Sequence, residues 1–197
     1  MDNTKLLMPS AASILQSMRD IGYTLDTAVA DIIDNSIAAA ATQIDLIFTV
    51  KPVPQFLIID NGQGMTADEL YQALRFAAKS PTEIRSDEDL GRFGLGLKTA
   101  SFSQARKLTV ISSKNGQICA AQWDLDYVIQ NDQWLLKIID PTELQLDAAY
   151  LEKVASHGTI VVWDHIDRIE FTNDEVDIHR YLAHLLTKLR DHLGLVF

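Results

Sequence analysis

Three short segments carry side chains whose types and spacing can do chemistry. The first is Ala30-Asp31-Ile32-Ile33-Asp34-Asn35. Asp31 and Asn35 are four residues apart, so a helix sets both on one face. A carboxylate beside a carboxamide oxygen can hold a hard cation or a polarised water. Such a pair can also be an ordinary solvated face. Val29, Ile32, Ile33 and Ile37 make this helix too apolar for a casual surface element, however, and polar groups in that setting need partners. The second segment is Asp60-Asn61-Gly62-Gln63-Gly64-Met65, a carboxylate at the end of an apolar run followed by two alternating glycines. Asp, Asn and Gly make plain turns. Equally, Asp60 can accept a hydrogen bond from an exocyclic amine such as N6 of adenine, and the glycines allow a ligand close to the backbone. The third is Gly91-Arg92-Phe93-Gly94-Leu95-Gly96-Leu97-Lys98-Thr99. A glycine-rich turn opening a helix exposes free backbone N–H groups, which suit an anion. Lys98 adds a point charge for phosphate.

The common phosphate-binding motifs do not fit this third segment. A P-loop has glycine immediately before its lysine, whereas Leu97 precedes Lys98. A dinucleotide fingerprint reads G-x-G-x-x-G, whereas the order here is G-x-x-G-x-G. The H-R-D and D-F-G sequences of protein kinases are absent.

The elements that must position these segments follow from periodicity. Apolar spacing predicts helices over 8–19 and 25–41, separated by Gly22. Alternation predicts a strand over 42–50, and the apolar run 55–60 a buried strand ending in a turn. Thr66 with Glu69 forms a capping box, starting a helix that runs to about residue 76. Residues 80–90 read as a polar loop, and 97–103 as a helix after the glycine turn. Strands are predicted over 108–112, 117–125, 133–139 and 159–163, with a short helix before Gly158. Residues 174–193 read as a closing amphipathic helix. Helices and strands mix without a regular βαβ alternation, which favours an α+β fold.

Composition narrows the function classes. The chain has 197 residues, 47% of them hydrophobic and 22% charged, as expected of one ordinary globular domain. No apolar run reaches the ~20 residues of a membrane helix, and the N-terminus lacks the pattern of a secretory signal. The net charge of -10 offers no general basic surface for nucleic acid. With one cysteine, Cys119, an internal disulfide is impossible and a cysteine-based zinc site is disfavoured. Cys119 reads as a small buried hydrophobe, and this usage suits a reducing cytoplasm. His157, His165, His179, His184 and His192 all follow the glycine-rich segment, and His179 and His184 read as surface or packing residues of a helix.

In their order, the three segments and Gly158-Thr159 resemble the GHKL ATPases, the group of gyrase B subunit, heat-shock chaperone, histidine kinase and MutL. The wording Asp34-Asn35-Ser36, Asp60-Asn61-Gly62-Gln63-Gly64-Met65 and Gly91 to Lys98 is similar to MORC-like bacterial ATP-binding proteins. The resemblance covers about residues 10–164. It implies a Bergerat-type ATP-binding fold, a two-layer sandwich of a mixed β-sheet with helices on one face. It also implies roles residue by residue. Asn35 matches the asparagine that ligates Mg²⁺ bridging the phosphates, and Asp60 the aspartate that recognises the adenine amine. Gly62, Gly64 and Met65 line the base pocket, and Leu74 touches adenine. Lys79 and Ser80, in Ala78-Lys79-Ser80, lead into a lid. There Gly91, Arg92, Phe93, Gly94, Leu95 and Gly96 wrap the phosphates, with Lys98 nearby. The Thr159 hydroxyl assists Asp60 directly or through water. Asp31 stands where the family usually has a glutamate general base. Aspartate is one methylene shorter, a loss of reach of about 1.5 Å. Ala38 stands where several relatives have aspartate.

The implied function is an Mg²⁺-dependent ATP-binding domain, a slow ATPase coupling nucleotide state to lid closure and to a homodimer, protein partner or downstream domain. The alternatives are a nucleotide-sensing module with little hydrolysis and a histidine-kinase catalytic domain. The expected ligands are ATP and ADP, with no direct nucleic-acid or membrane binding by this domain. Residues 1–197 are expected to be one cytoplasmic domain, the N-terminal part of a longer protein. Relatives in the gyrase and MutL groups take a phosphate-contacting lysine from a following domain.

Overall fold

A computed structural model describes residues 9–20, 22–49, 54–76, 96–143 and 146–168, with parts of 183–194. Along the chain run α1 (Ala11–Arg19), α2 (Leu25–Ala38), β1 (Ile44–Thr49), β2 (Gln55–Asp60) and α3 (Ala67–Leu74). There follow α4 (Gly96–Gln104), β3 (Ala105–Lys114), β4 (Gln117–Asp124), α5 (Leu125–Asn131) and β5 (Lys137–Ile139). A 3-10 turn (Pro141–Glu143), α6 (Ala148–Lys153) and β6 (Gly158–Ile166) complete the described elements.

Local chemistry explains most helix starts. The side chains of Ser10, Thr24, Thr66, Asp124 and Asp147 each accept a backbone N–H at the start of a helix. At Thr66 the predicted capping box with Glu69 is complete in both directions. Lys114 also reaches the Glu69 carboxylate, which holds it at a pKa of about 2. Helix α5 lies where the sequence predicts the end of a strand at residue 125 and no element over 126–132. Asp124 ends β4 and caps this helix by accepting from Tyr127 N–H at 3.2 Å. The strand expected over 133–139 is correspondingly confined to Lys137–Ile139.

The six strands form one sheet in the order β1-β2-β6-β3-β4-β5. Every described pairing is antiparallel, so the sheet is not mixed as expected. The last described strand, β6, inserts between β2 and β3 and joins the two halves.

Alternation sorts the strand side chains into two cores. Phe56, Ile58, Leu108, Val110, Trp123, Val161 and Trp163 pack with Leu15, Val29, Ile32, Leu70 and Phe102 of the helical layer. Leu57, Ile59, Ile111, Ile160 and Val162 face the other way and pack under Val154, Tyr150 and Leu151. The helices are therefore not confined to one face, because α6 and its C-terminal residue cover the second. Burial on both faces makes β2 and β6 continuous apolar runs rather than alternating ones.

The expected loop 80–90 and glycine turn 91–95 lie outside the described residues, as does most of the expected helix 174–193. The parts described there, at 183, 186–191 and 194, are helical, and Leu189 is buried in the main core. No described helix is long and apolar enough to cross a membrane.

Candidate functional site

One row of side chains crosses the sheet on its helix-facing side. Asp60 on β2 pairs with Thr159 on β6, Thr159 with Ser112 on β3, and Ser112 with Cys119 on β4. Asp60 is buried. Its Oδ2 accepts from the Ser36 hydroxyl of α2 at 3.0 Å, and its Oδ1 from the Gly62 N–H at 2.9 Å. The Thr159 backbone N–H is a third donor nearby, short of a well-formed hydrogen bond. Burial raises the pKa of the carboxyl, and the three donors oppose that rise. A carboxylate has about four acceptor directions. Hydrogen bonds from Ser36 and Gly62 occupy two of them, which leaves room for a further donor.

The turn after Asp60 is wedged into the fold. Asn61 Oδ1 accepts from the N–H groups of Thr42 and Gln43 at 2.8 and 2.9 Å. Gly64 has φ +67°, and a Cβ there would lie 1.7 Å from the Ser113 carbonyl oxygen. Gly158, with φ +126°, meets the Asp60 carbonyl oxygen in the same way at 2.3 Å. These two glycines are needed for the fold itself, apart from any ligand. The His157 Nδ1 lies 3.0 Å from Gly62 O and 3.1 Å from Asn61 O, holding the turn from outside. Met65 N–H donates to Ser112 Oγ at 2.9 Å, which docks the end of the turn onto β3. The half-buried Cys119 thiol points at Met65 O and Ser112 O, at 3.6 and 3.4 Å, and burial raises its pKa.

A second group lies on α2. Asn35 is exposed, and its amide nitrogen donates to Asp31 O at 2.8 Å. That bond commits the NH₂ side and leaves the carboxamide oxygen to act as acceptor or ligand. Asp31 Oδ2 accepts from the Tyr23 hydroxyl at 2.9 Å. Burial and this carboxylate together raise the Tyr23 pKa. Gly96, the first residue of α4, adjoins the same carboxylate, since a Cβ there would lie 3.7 Å from Asp31 Oδ2. Asp34 follows Asp31 on the helix, and burial with the Asp31 charge raises its pKa.

The structure thus groups Asp60, Gly62, Gly64, Met65 and Thr159 at one end of the sheet, and Asp31, Asn35 and Gly96 around α2. Ser36 bridges the two groups, because it follows Asn35 and binds Asp60. Leu74 is fully buried in the main core, and its carbonyl accepts from Trp123 Nε1 at 3.1 Å. The Lys98 ammonium is turned inward. It donates to Ala73 O at 2.7 Å, at the end of α3, and lies 5.7 Å from the centre of the Phe76 ring. Lys79, Ser80, Gly91, Arg92, Phe93, Gly94 and Leu95 lie outside the described residues.

Sequence reasoning passed over Ser36, Ser112, Tyr23 and His157. Ser36 carried a signal, as a hydroxyl in the apolar stretch beside Asn35. Ser112 and Tyr23 carried none, because only strand register and helix packing bring them to the site.

An antiparallel sheet under a helical layer, with a buried carboxylate at a glycine turn and an acid–amide pair on the adjoining helix, defines a nucleotide-binding α+β domain. The family model described as histidine kinase-, DNA gyrase B-, and HSP90-like ATPase matches residues 23–159. The chain belongs to that family. It is similar to ATPase morc-1 of Caenorhabditis elegans, 32% identical over 95 residues, covering 48% of this chain and 11% of that protein. A putative MutL protein homolog 1 of Schizosaccharomyces pombe is 31% identical over 105 residues, covering 52% of this chain and 15% of that one. A chaperone protein HtpG of Paramagnetospirillum magneticum is 36% identical over 107 residues, covering 44% and 17% respectively. The chain therefore spans under a fifth of the length of these curated relatives. Family membership supports ATP binding.

Proposed function

We propose that this domain binds ATP with Mg²⁺ and hydrolyses it slowly, using its nucleotide state to control association with a second copy or another protein. The observation that carries the reading is the Asp60 carboxylate. It is buried, fixed by Ser36 and Gly62, and left with acceptor capacity to spare. That matches a single amine donor such as N6 of adenine. Gly62, Gly64, Met65 and Thr159 surround the base in this reading, and Leu74 backs it from the core.

The phosphates then extend toward α2 and the start of α4. The exposed Asn35 oxygen suits Mg²⁺, which favours hard oxygen ligands and takes few from protein when phosphates supply others. Asp31 and Asp34 would repel a bare triphosphate, so a divalent cation fits the local charge as well. When bound, the ion neutralises phosphate charge and fixes its orientation. Gly96 and the glycine-rich residues before it supply backbone N–H donors, as their sequence supports. A phosphate role for Lys98 requires its ammonium to leave Ala73 O.

Asp31 takes the proton from the attacking water. Tyr23 occupies one carboxylate oxygen, so the other is the one available as base. A second reading has its own support, because the shorter Asp31 already held by Tyr23 suits a nucleotide sensor with little hydrolysis. Titration of the purified chain with ATP and ADP, with and without Mg²⁺, followed by phosphate release over hours, separates the readings. Mg²⁺-dependent ATP binding with turnover supports the first, binding without turnover the second. No binding rejects both.

A further inference from the structure

We propose that Ser112 sets the base selectivity of the site, by fixing the direction of the proton on the Thr159 hydroxyl. The inference rests on reading the Asp60 end as a purine site. Ser112 is fully buried on β3 and has three polar neighbours. Met65 N lies at 2.9 Å, Gly158 O at 3.1 Å and Thr159 Oγ1 at 2.9 Å. Counting protons fixes the Met65 contact and narrows the other two. The Met65 N–H can only donate, so Ser112 Oγ accepts from it. The single Ser112 proton can go to Gly158 O or to Thr159 Oγ1, and we assign it to Gly158 O, which can only accept. The remaining contact, between two hydroxyls, must then be donated by Thr159. Its only proton is committed away from Asp60, and its oxygen faces the row as an acceptor.

Beside it, the Asp60 carboxylate is an acceptor as well. Two neighbouring acceptors welcome a 6-amino purine, which brings donors. A 6-oxo purine brings an acceptor oxygen to the same place and finds no donor from either group. Ser112 pairs with Thr159, not with Asp60, across the sheet. It is therefore a positioning residue that acts through Thr159. Without Ser112, the Thr159 proton is released, can turn toward the ligand, and can donate to a 6-oxo group.

The test is equilibrium titration of the purified chain with ATP and ITP, whose bases differ in the 6-amino and 6-oxo groups. The wild-type chain should prefer ATP by about a hundredfold. Ser112→Ala should narrow that ratio by about tenfold. Thr159→Val keeps the side-chain shape and removes the acceptor, so it should weaken ATP more than ITP. In the Thr159→Val background, Ser112→Ala should leave the ratio where Thr159→Val alone puts it. A ratio unmoved by Ser112→Ala, or moved equally in both backgrounds, overturns the proposal. If Ser112→Ala fails to fold, Thr159→Val alone decides. A loss of ITP affinity equal to or larger than that of ATP means that Thr159 had a free proton, and the proposal fails. A wild-type chain that binds neither nucleotide fails the purine reading itself. One that binds ATP while the variants leave the ratio untouched fails only the role of Ser112.

Discussion

The Asp60 end and the Asp31 end of the site are built in opposite ways. Asp60 sits in the sheet, with donors from α2, from the following turn and from β6, and its neighbours Thr159 and Ser112 are tied to each other and to Met65. Asp31 sits on a helix face, half-buried, with one phenol at its carboxylate and Gly96 alongside. The first arrangement is over-determined, as base recognition requires. The second leaves room for phosphates, a cation and a water to complete it. Recognition is thus preorganised by the fold, while chemistry depends on what binds.

The largest contrast should come from adding one methyl group at each end. Gly64→Ala drives a Cβ into Ser113 O at a positive φ, and should cost about 4 kcal/mol of folding stability. Gly96→Ala makes only an ordinary van der Waals contact with Asp31 Oδ2, at 3.7 Å, and should leave stability within about 1 kcal/mol. Denaturant melts of both variants check this. Equal losses would mean that the two ends are equally packed.

Removing the charges comes next. Asp31→Asn should cut phosphate release by about a hundredfold or more, with ATP affinity changed by less than about threefold. Asp60→Asn should do the reverse at the binding step, weakening ATP by about thirtyfold, because one side of the amide presents donors where three donors already point. Titration calorimetry and a phosphate assay on both proteins separate binding from turnover. If Asp31→Asn retains full release, the base assignment is wrong.

The same division explains how much of the molecule can be read in the residues. The α3 capping box, the apolar β2 run and the Asp60 glycine turn are local patterns, and each appears where its residues place it. Asp31 and Asn35 share a helix face for the same reason. Ser112 and Thr159 could not be paired in advance, because β6 comes to lie between β2 and β3 only through long-range pairing. Helix α5 was hidden because its seven residues are too few to show a clear period, and only the Asp124 cap marks its start. Tyr23 precedes α2 and shows no motif. Its role emerges only when α2 folds back to bring Asp31 to its hydroxyl.

Tyr23→Phe sharpens the comparison at the Asp31 end. It removes one hydroxyl from a side chain that is otherwise packed against the core. Turnover should fall by about fivefold, with ATP affinity unchanged, because the carboxylate loses its fixed orientation. In an Asp31→Asn background the same change should have no further effect on turnover. An additive loss would mean that Tyr23 acts through packing rather than through Asp31.

A further contrast is a pH dependence at Lys98, where α4 meets the end of α3. Burial lowers its pKa from 10.5 to about 8. An unfolded chain keeps this proton until pH 10.5, whereas the folded chain releases it near 8. Between those values the unfolded state binds more protons, so this residue makes stability rise with pH. Below about 8 the ammonium is charged in both states, and its burial is only partly offset by Ala73 O. Melts of the wild type and Lys98→Met, compared across pH 7 to 10, isolate this group from other titrations. The wild type should gain on the variant above pH 8. A flat difference would place the ammonium in water, turned away from α3, where it would be free to meet a phosphate on the Asp31 side.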